Sequence, residues 1–248
     1  MAKRRSTISG FKNAFTRVLF DARSETLRKI ATGYTPAEKS ASAVTKAAAS
    51  DFIFSLGKFT VAMRDALGKQ HKNALQTAGD QLFAELEKDD PFTMAPAEVK
   101  DFLAARENKL SGVPQSCFDR IQASLQAGID AGDTTAELSA RVKAEFNTIA
   151  DGEARRIART ETSAAYGKGR STAMQSAGVQ YKQWLTSGND NVRPYHAEAN
   201  GQIVPIDEPF IVGGEELQYP GDEAGSAGNV IECHCVSIAV AAPDADAA

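Results

Sequence analysis

The chain is short of the residues that most often carry chemistry. Its 248 residues include three Cys, three His and one Trp. Three cysteines cannot build the disulfide framework of a small secreted domain, so the sequence reads as one made and folded in a reducing cytoplasm. No stretch approaches the roughly 20 apolar residues that span a bilayer, so no membrane anchor is expected. The basic start, Met1-Ala2-Lys3-Arg4-Arg5, has no apolar segment behind it and is not a secretory signal. A phosphate cradle, a nucleophile elbow and a full metal-protease signature are missing. The glycines at 167, 169 and 178 follow no strand and make no dinucleotide fingerprint. No enzyme is expected on these grounds.

Charge is abundant but unevenly placed. Through Ile30 there are eight Lys or Arg against Asp21 and Glu25, while from Leu185 onward eleven Asp or Glu face Arg193 alone. The basic arm is a candidate handle for phosphate or an acidic protein surface, with a solvated amphipathic helix as the equal alternative. The acidic end is a poor nucleic-acid binder, because carboxylates repel phosphate.

The first half reads as helix. Thr35-Pro36-Ala37-Glu38 has the form of a capping box with Pro at the first helical position. From Asp51, the apolar positions Ile53, Leu56, Phe59, Met63 and Leu67 share one face of a helix continuing through Leu75, Leu82 and Leu86. Asp89-Asp90-Pro91 stops it, and a shorter helix is expected over 96–110. Phe118, Ile121, Leu125 and Ile129 mark another helix, closed by Gly132. A second capping box, Thr134 to Glu137, opens one with Leu138, Val142 and Phe146 on one face. Gly152 is expected to interrupt it before a further helix carrying Arg155, Arg156, Arg159 and Glu161. His71, among Lys69, Gln70 and Lys72, is expected on a solvated face, Cys117 as a buried small apolar residue, and Trp184 as a core anchor.

Beyond Val179 the character changes to short strands, over 181–186, 202–206, 209–212 and 236–240, separated by Gly- and Pro-rich loops. This stretch gathers two of the three His and two of the three Cys. It runs Trp184, then Asp190-Asn191-Val192-Arg193-Pro194-Tyr195-His196, Asn200-Gly201, Phe210, Pro220, and Asn229-Val230-Ile231-Glu232-Cys233-His234-Cys235. Preceded by Thr134 to Leu138 and by Ile157-Ala158-Arg159-Thr160-Glu161, this order resembles the phage Mu F-like minor head protein family, the phage head morphogenesis domain. The resemblance covers about half the chain, from about Phe118 to Val240. One departure is His234, which stands where the family usually has Arg between the two cysteines. An imidazole there weakens any pairing with a carboxylate.

The residues of this constellation admit three readings. In the first, a structural polar cluster, Arg159 or Arg193 pairs Glu161 or Asp190, and His196 donates to a backbone carbonyl. In the second, zinc is held by Cys233, Cys235 and His196, with His234 or Asp190 as fourth ligand. Thiolate and imidazole suit the metal, although Cys-x-Cys is tighter than the usual spacing. In the third, His196 is a general base. The structural reading leads, no cofactor is expected, and zinc is the alternative.

The expected architecture is α+β, with a mostly helical amino-terminal half before a small α+β domain of short antiparallel strands. By sequence pattern a basic arm or helix spans 1–34, a helical region 35–115, an α+β domain 116–240 and a disordered tail 241–248; the resemblance implies that 35–115 docks on the portal or other head proteins and that 116–240 is the head morphogenesis domain. The resemblance implies a minor head protein of a tailed bacteriophage, at the portal vertex inside the procapsid or virion. There it would assist head morphogenesis and DNA packaging or ejection. Its implied partners are the portal and other head proteins, with packaged DNA touched through the basic arm. The rival reading is an ADP-ribosyltransferase-like or other toxin or effector enzyme delivered with the virion, since the family's domains also occur beside such modules. A general nucleic-acid-binding module is a third, opposed by the acidic end.

Overall fold

The computed structural model describes residues 2–33, 54–188 and 190–242. Five long helices come first: α1 (Ala2–Gly33), α2 (Leu56–Glu85), α3 (Pro96–Leu110), α4 (Gly112–Ala131) and α5 (Thr135–Ser176). Then follow β1 (Tyr181–Leu185), α6 (Pro194–Glu198), β2 (Ile203–Pro205), β3 (Phe210–Val212), β4 (Glu215–Leu217), α7 (Ala227–Val230) and β5 (Val236–Val240). The fold is α+β, as the patterning indicates. The capping box at Thr35, the position of Ile53 and most of the tail lie outside the described residues.

The chain packs as two compact units, each drawn from several segments. One comprises Met1–Phe11, Lys69–Arg106 and Arg156–Ala248; the other comprises Lys12–Gly68 and Glu107–Arg155. These units cross the linear segments drawn from sequence pattern, because their boundaries fall within α1, α2, α3 and α5.

The second unit is a helical core. Phe15, Leu19, Phe59, Met63, Ile121, Leu125, Leu138, Val142 and Phe146 are buried in it, and Phe54 stacks at 5.5–5.9 Å from Phe59, Phe118 and Phe146. Cys117 is buried there as expected, and its thiol is pushed up to about 12 by burial. The capping box at Thr134 forms: Thr134 N–H donates to Glu137 Oε2 at 2.8 Å, and Glu137 N–H donates to Thr134 Oγ1 at 3.3 Å. Gly132, at φ 75°, closes α4 in the left-handed conformation that glycine adopts without steric cost.

Gly152 does not interrupt the helix. α5 runs through it without a break, because Ile149, Ala150, Ala154, Ile157 and Ala158 are buried on either side. That packing outweighs a glycine cost of about 1 kcal/mol.

The first unit contains the strands. β1 lies between β2 and β5, antiparallel to both, with Tyr181 opposite Pro205 on one side and opposite Val240 on the other. β3 and β4 form a separate hairpin, with Phe210 opposite Leu217. Its turn is Gly213-Gly214, at φ 60° and 81°, a sign that suits the twist of a two-residue hairpin. Trp184, Phe210, Val212, Leu217, Ala199, Cys233 and Cys235 form one buried cluster, with Tyr195 and Val204 packed at its edge. The strand β4 and the short helices α6 and α7 were not legible as elements in the sequence. All three are 3 to 5 residues long, too short for periodicity to register.

Candidate functional site

The constellation after Val179 converges. Trp184 is fully buried on β1, and its ring meets Phe210 at 5.4 Å and His196 at 5.8 Å, both edge-on. Gly201, at φ 86°, turns the chain so that its N–H donates to the Trp184 carbonyl at 2.8 Å. The neighbouring Asn200 Oδ1 accepts the Thr186 N–H at 2.9 Å, fastening the same turn to the end of β1.

His196 lies on α6 and is buried. Its Nε2 is 3.1 Å from Asn229 Oδ1, and its Nδ1 is 3.3 Å from Cys235 Sγ and 3.8 Å from Cys233 Sγ. Asn229 in turn donates from Nδ2 to the Val212 carbonyl at 3.1 Å. The expected bond from His196 to a backbone carbonyl is therefore replaced by one to a side-chain amide. Both sulfurs are buried, in the loop leading into β5 rather than in the strand itself. The hydrogen bond from Cys235 lowers the Cys233 thiol against the effect of burial, so Cys233 is the more readily ionised of the two. Cys235, beside that sulfur and buried, is held up.

His234 points out between the two thiols and is exposed, and Asp190 is exposed as well. Neither joins the group of potential metal ligands, which among the described residues comprises His196, Cys233 and Cys235. The zinc reading thus loses both proposed fourth ligands.

The ion pairs also differ from expectation. Glu161 is buried on α5 but pairs with neither Arg159 nor Arg193. Arg106 Nε and Nη2 donate to its two oxygens at 2.9 and 2.6 Å, and His71 Nε2 lies 2.7 Å from Oε2. A carboxylate only accepts, so His71 is the donor. Burial raises the Glu161 pKa, but the Arg106 charge and the His71 and Arg106 hydrogen bonds outweigh it, holding the carboxyl at about 2. Arg159 instead pairs with Glu232 at 3.3 Å, and Arg193 donates to the Ile231 carbonyl. Both brace the loop carrying the cysteines, helped by Thr160 Oγ1, which accepts the Glu232 N–H at 3.0 Å.

His71 is thus not on a solvated face. It is buried between the rings of Phe11, at 4.9 Å, and Phe102, at 5.7 Å. The available signal was its spacing: Leu67, His71, Leu75, Ala78 and Leu82 fall three or four residues apart, and all are buried. Arg106 was missed likewise, although it stands four residues after the buried Phe102. Lys182 was a third omission. It is buried on β1 and donates from Nζ to the Gln218 carbonyl at 3.0 Å and to Oε1 at 2.8 Å.

The loop 218–225 is locked onto α5. Gly221 sits so close that a Cβ there would lie 2.8–2.9 Å from Ala164 backbone atoms. Asp222 holds the loop shape by accepting the Gln218 and Ala224 N–H groups.

Compared with known families, residues 119–238 match the one described as Phage Mu protein F like protein. This stretch is a phage Mu F-like domain. The residues that the resemblance singled out, from Arg159 to Cys235, fall within it, and Trp184, His196, Phe210, Cys233 and Cys235 meet in one buried cluster. No curated protein and no solved structure matches the chain. The Mu F-like domain suggests a phage head morphogenesis protein that works with other head proteins and belongs to the virion. Among the described residues no helix is long and apolar enough to cross a membrane.

Proposed function

We propose that this chain is a minor head protein of a tailed bacteriophage, bound at the portal vertex inside the procapsid and assisting head assembly and DNA packaging or ejection. The Mu F-like match carries this reading. The geometry around the motif is consistent with it: the polar motif residues brace one another and the backbone, as the parts of a rigid assembly module do. The protein acts structurally on this view, without catalysis of its own.

DNA contact falls to α1. Lys3, Arg5, Lys12, Arg17 and Arg28 are exposed along it, whereas Arg4 donates to Ser163 and Arg23 to Asn147. The five exposed cations would meet phosphate without base readout, giving binding that weakens steeply with salt.

Co-sedimentation with procapsids tests the assignment. The chain should travel with procapsids that contain portal and be depleted from portal-free shells. Equal retention by both would remove the portal vertex from the proposal. Retention by neither would remove head binding altogether.

A further inference from the structure

The geometry points to a metal site that the head-assembly reading neither needs nor supplies: His196, Cys233 and Cys235 bind a zinc ion. Their three donor atoms lie within 4.8 Å of one another, and all three residues are buried. A tetrahedral zinc with ordinary Zn–S and Zn–N bonds separates sulfur and nitrogen by about 3.6 Å. The two Nδ1 to sulfur distances, 3.3 and 3.8 Å, fall on either side of that value.

The imidazole is set up for coordination by its neighbours. Asn229 spends its amide N–H on the Val212 carbonyl, which turns Oδ1 toward the ring. An amide oxygen only accepts, so the proton of a neutral His196 sits on Nε2 and the lone pair on Nδ1 faces the sulfurs. A metal-binding histidine is commonly fixed in this way, through a hydrogen bond from its other nitrogen.

The Trp184 ring packs edge-on against His196, and its buried Nε1–H makes no hydrogen bond. A buried indole N–H without an acceptor is costly. Cys233 and Cys235 share its cluster, and a metal-bound thiolate is a stronger acceptor for such a donor than a neutral thiol.

The donor set selects the metal. Two thiolates and one imidazole suit zinc and are wrong for calcium or magnesium, which take oxygen. Because His234 and Asp190 are exposed and outside the group, the fourth position is left for water. The ion would join α6 to the 229–235 loop against β1.

The test uses the full chain, purified under reducing conditions. Elemental analysis should find stoichiometric zinc, and replacement by Co(II) should produce thiolate-to-cobalt charge-transfer bands with the visible bands of a tetrahedral site. Zn(II) should abolish both. Cys233→Ser and Cys235→Ser should each lose charge-transfer intensity, and Cys117→Ser should keep all of it. Folded, reduced wild-type protein that takes up neither Zn(II) nor Co(II) would overturn the site without any variant needing to fold. Charge-transfer bands persisting in the double variant Cys233→Ser with Cys235→Ser would overturn it too. Either failure leaves procapsid binding unaffected, so the two proposals fail separately.

Discussion

Glu161→Gln isolates the buried ion pair at the centre of the first unit. The substitution keeps shape and volume but removes the charge that compensates Arg106. Arg106 is itself buried, with Nη1 already lacking a partner. The Glu161 carboxyl is lowered from 4.5 to about 2. A difference of that size corresponds to about 3 kcal/mol of native-state stabilisation, and it agrees with the ~3–5 kcal/mol expected when one partner of a buried pair is removed. For a chain of this length that is a fall of roughly 6–12 °C in melting temperature.

Urea unfolding of the full chain near pH 7, followed by circular dichroism, reads the cost directly. The folded pKa lies below the unfolded one. The advantage of wild type over Glu161→Gln is therefore fully present above 4.5 and shrinks as pH falls toward about 2. A double-mutant cycle separates pairing from local packing. Arg106→Met removes the stranded charge, so the double variant should be less destabilised than the sum of the singles by about 2 kcal/mol. Additivity within about 0.5 kcal/mol would refute the pairing argument, as would a Glu161→Gln cost below about 1 kcal/mol.

Three further outcomes follow from local geometry. Gly221→Ala combines a φ of 86° with a Cβ placed 2.8–2.9 Å from α5 backbone, so it should cost about 2–4 kcal/mol, read as a lowered melting temperature. Gly152→Ala should do the reverse, since a Cβ there meets nothing within 4 Å on an exposed helical turn; a gain of about 0.5–1 kcal/mol is expected in urea unfolding. Burial lowers Lys182 from 10.5 to about 8. Between those values the unfolded chain binds the extra proton, so wild-type stability should rise with pH relative to Lys182→Met, and a flat difference from pH 8 to 10.5 would count against the burial of that charge.

Local pattern carried a large part of this fold. The helix over 96–110, the capping box at Thr134, the helix stop at Gly132 and the strand 236–240 each have a signal within a few residues, and each appears where that signal lies. The failures share a different character. Gly152's own propensity points to a break, but the buried residues around it govern. His71's sequence neighbours are charged, but its helical spacing from Leu67 and Leu75 puts it inside.

The chain order alone determined the helical half, the strand-rich end, and the set of residues from Arg159 to Cys235 that marks the Mu F-like domain. Periodicity, caps and turn residues act over a few positions, so they are written in the order of the letters. Tertiary structure decided the partners. Glu161 lies 55 residues from Arg106 and 90 from His71, and His196 lies 39 from Cys235. No local rule chooses among arginines at that separation; only the packing that excludes water from Glu161 selects the charge that can stand beside it.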